Sequence, residues 1–290
     1  MIIEAVDKIS KKINFSSFAV SFFVLGILTS TPELAVGINA VINHDPEIFV
    51  GNLLGGIIVI FLLIIPILAI LGNGIKLVHQ LNSKNLLFSL IVVVSPSFLI
   101  ADKNFSLYEA IFLIFLYAVL FFLIEKKKGL LEKVKDNLRD GKSHFTQDLG
   151  KIVLGIVFVF FASSFIVDKT IYFSHFLKIS PFIIGLLFLS LGTNLPELSL
   201  AIYSVVSKKK AVAFGDYIGS AAANTLLIGV LILLNGGQVT VVNHFIRPFI
   251  FTILGLSLFF YFSRSKNDIS RKEGLILLLV YIGFLMAEII

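Results

Sequence analysis

The sequence predicts an all-α protein: a polytopic transmembrane helical bundle of about nine helices, built as two inverted-topology repeats with broken helices at the midplane. Three observations predict it. The chain is too apolar for water, its positive charge is sorted into alternate loops, and it contains an internal duplication that places a proline–glutamate pair inside an apolar span of each copy.

The 290 residues are 57% hydrophobic and 14% charged, with a mean hydropathy of +0.99, where soluble domains carry about 25% charged residues. That excludes an ordinary water-soluble enzyme. The absence of cysteine excludes disulfides, thiolate metal sites and cysteine nucleophiles. The net charge of +6 has no basic stripe with interleaved aromatics behind it, so no nucleic-acid partner is expected. On so apolar a chain it reflects lysines that hold loops on the cytoplasmic side.

A bilayer core needs about 20 apolar residues per helix, which gives candidate spans near 16–42, 48–72, 85–101, 107–124, 150–167, 179–206, 211–235, 246–263 and 273–289. With a cytoplasmic N-terminus, 20 lysines and arginines fall on one side and 4 on the other: Lys103, Lys169, Lys178 and Arg247. This predicts a multi-pass protein of a prokaryotic plasma membrane, with its C-terminus outside and the lipid bilayer as its surroundings. No cleavable signal peptide is evident. Residues 1–124 form the first repeat, 125–149 a basic cytoplasmic linker with mixed charges, and 150–290 the second repeat.

The repeat appears at a constant offset of 164 residues. Thr29-Ser30-Thr31-Pro32-Glu33-Leu34 lies over Thr193-Asn194-Leu195-Pro196-Glu197-Leu198, and Gly51-Asn52-Leu53-Leu54-Gly55-Gly56 over Gly215-Asp216-Tyr217-Ile218-Gly219-Ser220. The span of Glu33 runs outward and that of Glu197 inward, so the halves are inverted. Inverted repeats with Gly/Pro-interrupted helices at matching positions are the sequence signature of secondary transporters, whose substrates bind at the midplane.

A carboxylate in hydrocarbon must face protein, water or a cation. Pro32 and Pro196 lack an N–H, so the carbonyls of Leu28 and Gly192 are expected to lose their helical donors and face the site. Thr29 and Thr193 sit in the same loosened turns. Two carboxylates, hydroxyls and freed carbonyls make an all-oxygen site suited to a hard cation such as Ca²⁺. Asp216, Ser220 and Asn224 recur every four residues on one helix face and extend the polar set, although Asp216 reads equally as an interfacial carboxylate. A lone intramembrane glutamate can also be a protonated structural carboxyl, and a lone proline an ordinary kink; the paired occurrence favours a site. The glycines read as packing positions, and the five histidines have no metal-ligand spacing.

Gly-x-x-Thr-Ser-x-Pro-Glu followed by Gly-Asn-x-x-Gly-Ser-Asn, once in each inverted half, resembles the α-repeats of the cation/calcium exchangers, in particular the prokaryotic sodium/calcium exchangers. The resemblance covers most of the chain. It implies that Glu33 and Glu197 are the central Ca²⁺ ligands with oxygens of Thr29 and Thr193, and that Ser30, Ser220 and Asn224 bind Na⁺ or line the centre. With Asn194 and Asp216 these complete the candidate ligand set. Asn194 stands where the second repeat usually has serine, Gly56 where the first has its second serine, and Ile60 where an amide or carboxylate is usual. The resemblance also implies five helices per half, whereas residue 1 aligns with Phe165 and leaves the helix at 150–167 without a partner; that helix and its counterpart are the elements that slide in the family.

The expected function is antiport of Ca²⁺ against Na⁺ by alternating access, with no cofactor beyond the transported ions and no enzymatic chemistry. H⁺ coupling, or a non-transporting cation-binding subunit, are the alternatives. A homo-oligomer, or a partner chain supplying the absent first helix, is the expected partner.

Overall fold

The computed structural model describes residues 22, 26–76, 83–125, 161–162, 165–207, 210–241, 245–265 and 268–289. The N-terminal segment up to residue 21, the expected linker at 125–149 apart from Glu125, and the stretch 150–160 therefore lie outside the described residues.

The Glu33 region is a short helix α1 (Gly26–Thr29), a break at Ser30, and α2 (Thr31–Ile42). Then come α3 (Glu47–Val59), a widened π-turn at Ile60–Ile64, and α4 (Ile65–Leu71). Pro66 lies in the first turn after that widening; lacking an N–H, it loosens the hydrogen-bond ladder just upstream. Helices α5 (Ser83–Leu99) and α6 (Leu107–Glu125) complete the first half. In the second half α7 covers 165–177. There follow α8 (Pro181–Ile184), a π-turn at Gly185–Leu189, α9 (Ser190–Thr193), a break at Asn194, and α10 (Leu195–Val206). The last three are α11 (Lys210–Leu234), α12 (Ile246–Ser265) and α13 (Arg271–Ile289).

Six helices among the described residues are long and apolar enough to cross a membrane, with Thr31–Ile42 a shorter apolar one. The expected total of nine is thus met only in part. Arg271–Ile289 has the length but carries charge at both ends. Helix α7 runs to residue 177, ten residues past the expected end of its span. Its buried face is Val167, Thr170 and Ser174, and Lys169 folds back over the rings of Phe165 and Tyr172 at 5.2 and 5.9 Å. A cation over aromatic faces tolerates low-dielectric surroundings better than a bare ammonium, which is how a lysine continues a helix where a loop was expected. At the repeat offset, 165–177 aligns with residues 1–13, outside the described residues.

The inversion is written into two small antiparallel clasps. β1 (Ile75–Lys76) pairs with β4 (Asp268–Ile269), matching Ile75 with Ile269; β2 (Asn104–Phe105) pairs with β3 (Val239–Thr240), matching Phe105 with Val239. Shifting the first pair by the repeat offset yields the second, residue for residue. Each clasp joins a loop of one half to a loop of the other. Strands that share hydrogen bonds lie on one side of the membrane, and both pairs join loops that the lysine and arginine count assigns to the same side. The halves interlock elsewhere too: α11 packs against α1, α5 and α6, and α3 against α8 and α9.

The most enclosed spans are Glu47–Leu71 and Ala213–Leu234. Large apolar side chains close around them, with Phe61 edge-on to Phe259 at 4.9 Å and Phe214 stacked on it at 6.1 Å. Because the chain has no native cysteine, single cysteines report sidedness cleanly. Asn104→Cys and Thr240→Cys should react with a membrane-impermeant maleimide from one side, and Asn73→Cys, exposed in the loop that leads into β1, and Asp268→Cys from the other. Opposite sidedness within either pair would contradict the clasps.

Candidate cation site

Glu33 and Glu197 each sit at the start of the helix that follows a break. The breaks are conformationally alike: Ser30 has φ −78° and ψ 8°, and Asn194 has φ −89° and ψ 11°, the sparsely populated bridge region found at turns and functional sites. Each break is braced by the same local bonds. Ser30 Oγ donates to Gly26 O at 2.7 Å, and Asn194 Nδ2 donates to Ser190 O at 2.8 Å. Leu34 N–H returns to Ser30 O and Leu198 N–H to Asn194 O.

The two carbonyls that proline was expected to free each meet a local donor. Thr31 Oγ1 donates to Leu28 O at 2.7 Å at an exposed position, and the Asn194 N–H turns toward Gly192 O as well as Ser190 O. A hydroxyl one residue before the proline, or the amide at the break, stands in for the missing donor.

All nine candidate ligands converge. Ser30, Glu33, Thr193, Asn194, Glu197, Asp216, Ser220 and Asn224 are buried, and Thr29 is partly so. The contacts cross between halves. Thr29 Oγ1 donates to Asp216 Oδ1 at 3.1 Å, and its counterpart Thr193 Oγ1 donates to Asn52 Oδ1 at 3.1 Å. Ser220 Oγ donates to Glu197 Oε1 at 2.9 Å and lies 3.2 Å from Ser30 Oγ. Thr193 also neighbours Glu33, and Thr29 neighbours Glu197, while the charges of Glu33, Glu197 and Asp216 lie within reach of one another. Asp216 is fully enclosed and bonded across the repeat interface to Thr29.

Six acceptor oxygens of this set have no hydrogen-bond partner: both carboxylate oxygens of Glu33, Glu197 Oε2, Asp216 Oδ2, Asn194 Oδ1 and Asn224 Oδ1. Buried acceptors are ordinarily satisfied, and an unpaired ionised carboxylate costs several kcal/mol in a protein interior. Such a cluster calls for a positive species. Among the described residues no three Asp, Glu, His or Cys side chains could by themselves hold a metal, so the oxygen set is the carboxyl groups of Glu33, Glu197 and Asp216 together with neutral amide and hydroxyl oxygens. Carboxylates mixed with amide oxygens fit Ca²⁺, which accepts six to eight oxygens in flexible geometry.

Two residues were missed by sequence reasoning. Asn52 is fully buried and takes the Thr193 hydroxyl; its alignment with Asp216 at the repeat offset was the available signal. Tyr217 is fully buried beside Asp216 and Glu197 with its hydroxyl unpartnered, and its counterpart Leu53 gave no hint. The departure at Gly56 also acquires a physical meaning. A Cβ there would meet Asn224 Nδ2 at 2.9 Å and Asn194 Nδ2 at 3.1 Å, so the larger Asn194 amide fills the space that a serine at position 56 would use. Ile60 is fully buried and contributes no oxygen.

The site is closed. A half-open apolar cavity of about 640 Å³, lined by Pro32, Thr170, Phe188 and Gly192, reaches Thr193. A second of about 270 Å³ reaches Asn194 between Val59, Leu63 and Leu191.

The family model described as "Sodium/calcium exchanger protein" matches residues 1–124 and 149–290. The chain belongs to that family. Sodium/calcium exchanger proteins are integral, multi-pass membrane exchangers, and the match spans both proline–glutamate motifs. Among relatives, the sodium/calcium exchanger MaX1 of Methanosarcina acetivorans is 26% identical over 98% of this chain and 92% of its own length. The inner membrane protein YrbG of Escherichia coli is 29% identical over 74% of this chain and 69% of its own. A solved structure of the sodium-calcium exchanger NCX_Mj soaked with 10 mM Na⁺ and zero Ca²⁺ shares the fold, with a TM-score of 0.71 at 24% identity, over 98% of this chain and 91% of that one.

As a family member with a tightly crossed core, the chain should be sensitive where helices touch. A Cβ on Gly26 would lie 2.6 Å from the Gly219 backbone carbon, whereas one on Gly192 meets nothing within 4 Å. Gly26→Ala is therefore expected to destabilise by about 1–3 kcal/mol and Gly192→Ala by less than about 0.5 kcal/mol. Thermal unfolding in detergent checks the order, and the reverse order would contradict the packing.

Proposed function

We propose that this protein is a secondary-active antiporter that exchanges Ca²⁺ against Na⁺ through the Glu33/Glu197 site. The observation that carries this reading is the cluster of unpartnered acceptor oxygens, closed from solvent and shared between inverted halves. Family membership and the fold of NCX_Mj support it, as does the likeness to the sodium/calcium exchanger MaX1.

Glu33 and Glu197 supply the charge, and Thr29, Thr193, Asn194, Ser220 and Asn224 complete the oxygen cage, with Ser30 bracing its break and Asp216 anchoring Thr29. Three carboxyl groups share the site, so a divalent ion balances two of them and a proton the third; monovalent ions reach the same balance together. The empty, doubly charged site resists enclosure because its carboxylates would be desolvated alone. Only loaded forms switch sides, which is the condition for exchange in place of leak. The clasps at both faces oppose separation of the halves, so the reading assigns motion to peripheral helices such as α7, which borders the 640 Å³ cavity. The two matched stretches support a division into repeats at 1–124 and 150–290 around a basic linker, with the N-terminus cytoplasmic.

H⁺ as the coupling ion is the second reading, favoured by the lack of side-chain oxygens at Gly56 and Ile60. Reconstituted vesicles separate the two. Ca²⁺ uptake should rise with an outward Na⁺ gradient; uptake indifferent to Na⁺ but driven by a pH gradient would transfer the coupling to protons. Ca²⁺ binding with no flux under either gradient would identify a non-transporting subunit. Glu33→Gln and Glu197→Gln should each reduce uptake to that of protein-free vesicles, and normal flux in either would remove the site assignment.

A further inference from the structure

Helices α5 and α12 are counterparts under the 164-residue offset, and they pack side by side as antiparallel neighbours. A groove of about 240 Å³ runs between them, lined by apolar side chains and Ser257. On α5 the lining residues Leu87, Ile91, Val94 and Phe98 recur at three- and four-residue intervals, and on α12 Ile253, Ser257 and Phe260 do the same. Such spacing defines one stripe per helix.

Each stripe continues, at the same end of the groove, into a cation. Lys84 precedes Leu87 by three residues and Arg264 follows Phe260 by four; both are exposed. The register that sets Phe98 against Phe249 places Lys84 level with Ser263, next to Arg264. The Arg264 guanidinium lies 5.5 Å from the Phe260 ring centroid, which holds its planar fork over the groove mouth. Neither cation is ion-paired among the described residues. Their basic neighbours are committed differently: Arg271 Nε donates to Ile70 O at 2.9 Å.

The far end of the groove is unlike this one. Phe98 and Phe249 meet edge to face at 5.2 Å and close it, and Arg247 there donates to the carbonyl of Ala287. The groove is thus capped by rings at one end and bordered by the pair of cations at the other, on the side that the charge count makes cytoplasmic.

We infer that this groove holds one acyl chain of an anionic phospholipid, with its phosphate between Lys84 and Arg264. The chemistry is complementary at both ends: apolar walls at the depth of the hydrocarbon, and two cations at the depth of headgroups, where basic pockets between helices bind anionic lipids. Because α5 and α12 come from opposite halves, the lipid would seal the seam between the repeats. The inference does not depend on which ions are exchanged.

The chain has no tryptophan, so Ile91→Trp creates a sole fluorescent reporter. Position 91 lies about 10 Å below Lys84 at 1.5 Å per residue, within reach of a chain-brominated lipid. The full-length protein carrying Ile91→Trp is reconstituted in phosphatidylcholine with a minor fraction of either brominated phosphatidylglycerol or brominated phosphatidylcholine. The anionic lipid should be enriched at the reporter roughly tenfold over the zwitterionic one. High salt should erode the difference in the same protein, since exposed charges are screened. Lys84→Gln with Arg264→Gln should equalise the two lipids, and Lys84→Arg with Arg264→Lys should keep the preference. Equal quenching by both lipids before any charge is removed, or a preference that survives the glutamine pair, would overturn the inference.

Discussion

A buried acceptor oxygen must find a donor or a cation, and in a bilayer water cannot supply it. That constraint shapes the centre of this protein. Neither half satisfies its own glutamate in full: Glu197 takes the Ser220 hydroxyl of its own half on one oxygen only, and both oxygens of Glu33 stay without a partner. The first half brings Glu33 and Thr29, the second Glu197 and Thr193, and the threonines reach across to Asp216 and Asn52. The repeats are therefore held together by polar bonds at the midplane and by strand clasps at both faces. What remains after these bonds form is a set of carboxylate and amide oxygens with nothing to accept from. A cation is the component that the proposed function supplies there.

The two halves are equal in backbone and unequal in chemistry. The breaks at Ser30 and Asn194 have nearly the same torsions, yet Asp216 faces Asn52 across the pseudo-symmetry, and Gly56 faces Ser220. Substitutions that look like erosion in sequence are coupled in space. The lack of a side chain at Gly56 makes room for the amide groups of Asn194 and Asn224, whose nitrogens lie against it. Under the proposed function such a change alters the number and field of the oxygens offered to a cation, the variables that discriminate among hard cations.

Much of this was legible in the sequence because its signals are physical and redundant. Apolar length set the spans, charge asymmetry set the sidedness of loops that the clasps later pair, and a gapless offset exposed the inversion. All nine candidate ligands were nameable from two motifs and one helix-face periodicity. Other features depended on tertiary context. Helix α7 extends past its expected end because Lys169 finds aromatic faces, a contact that composition does not encode. The carbonyls of Leu28 and Gly192 acquire donors from neighbouring residues, which a rule about proline alone does not anticipate. Tyr217 reaches the site only because its helix is packed on every side.

The most direct measurement is anomalous diffraction from crystals soaked in Sr²⁺, a heavy stand-in for Ca²⁺. An anomalous peak bonded to carboxylate oxygens of both Glu33 and Glu197, lost on soaking in concentrated Na⁺, is the predicted result. A site without density, with the two carboxylates hydrogen-bonded to each other or to protein donors alone, would contradict the account.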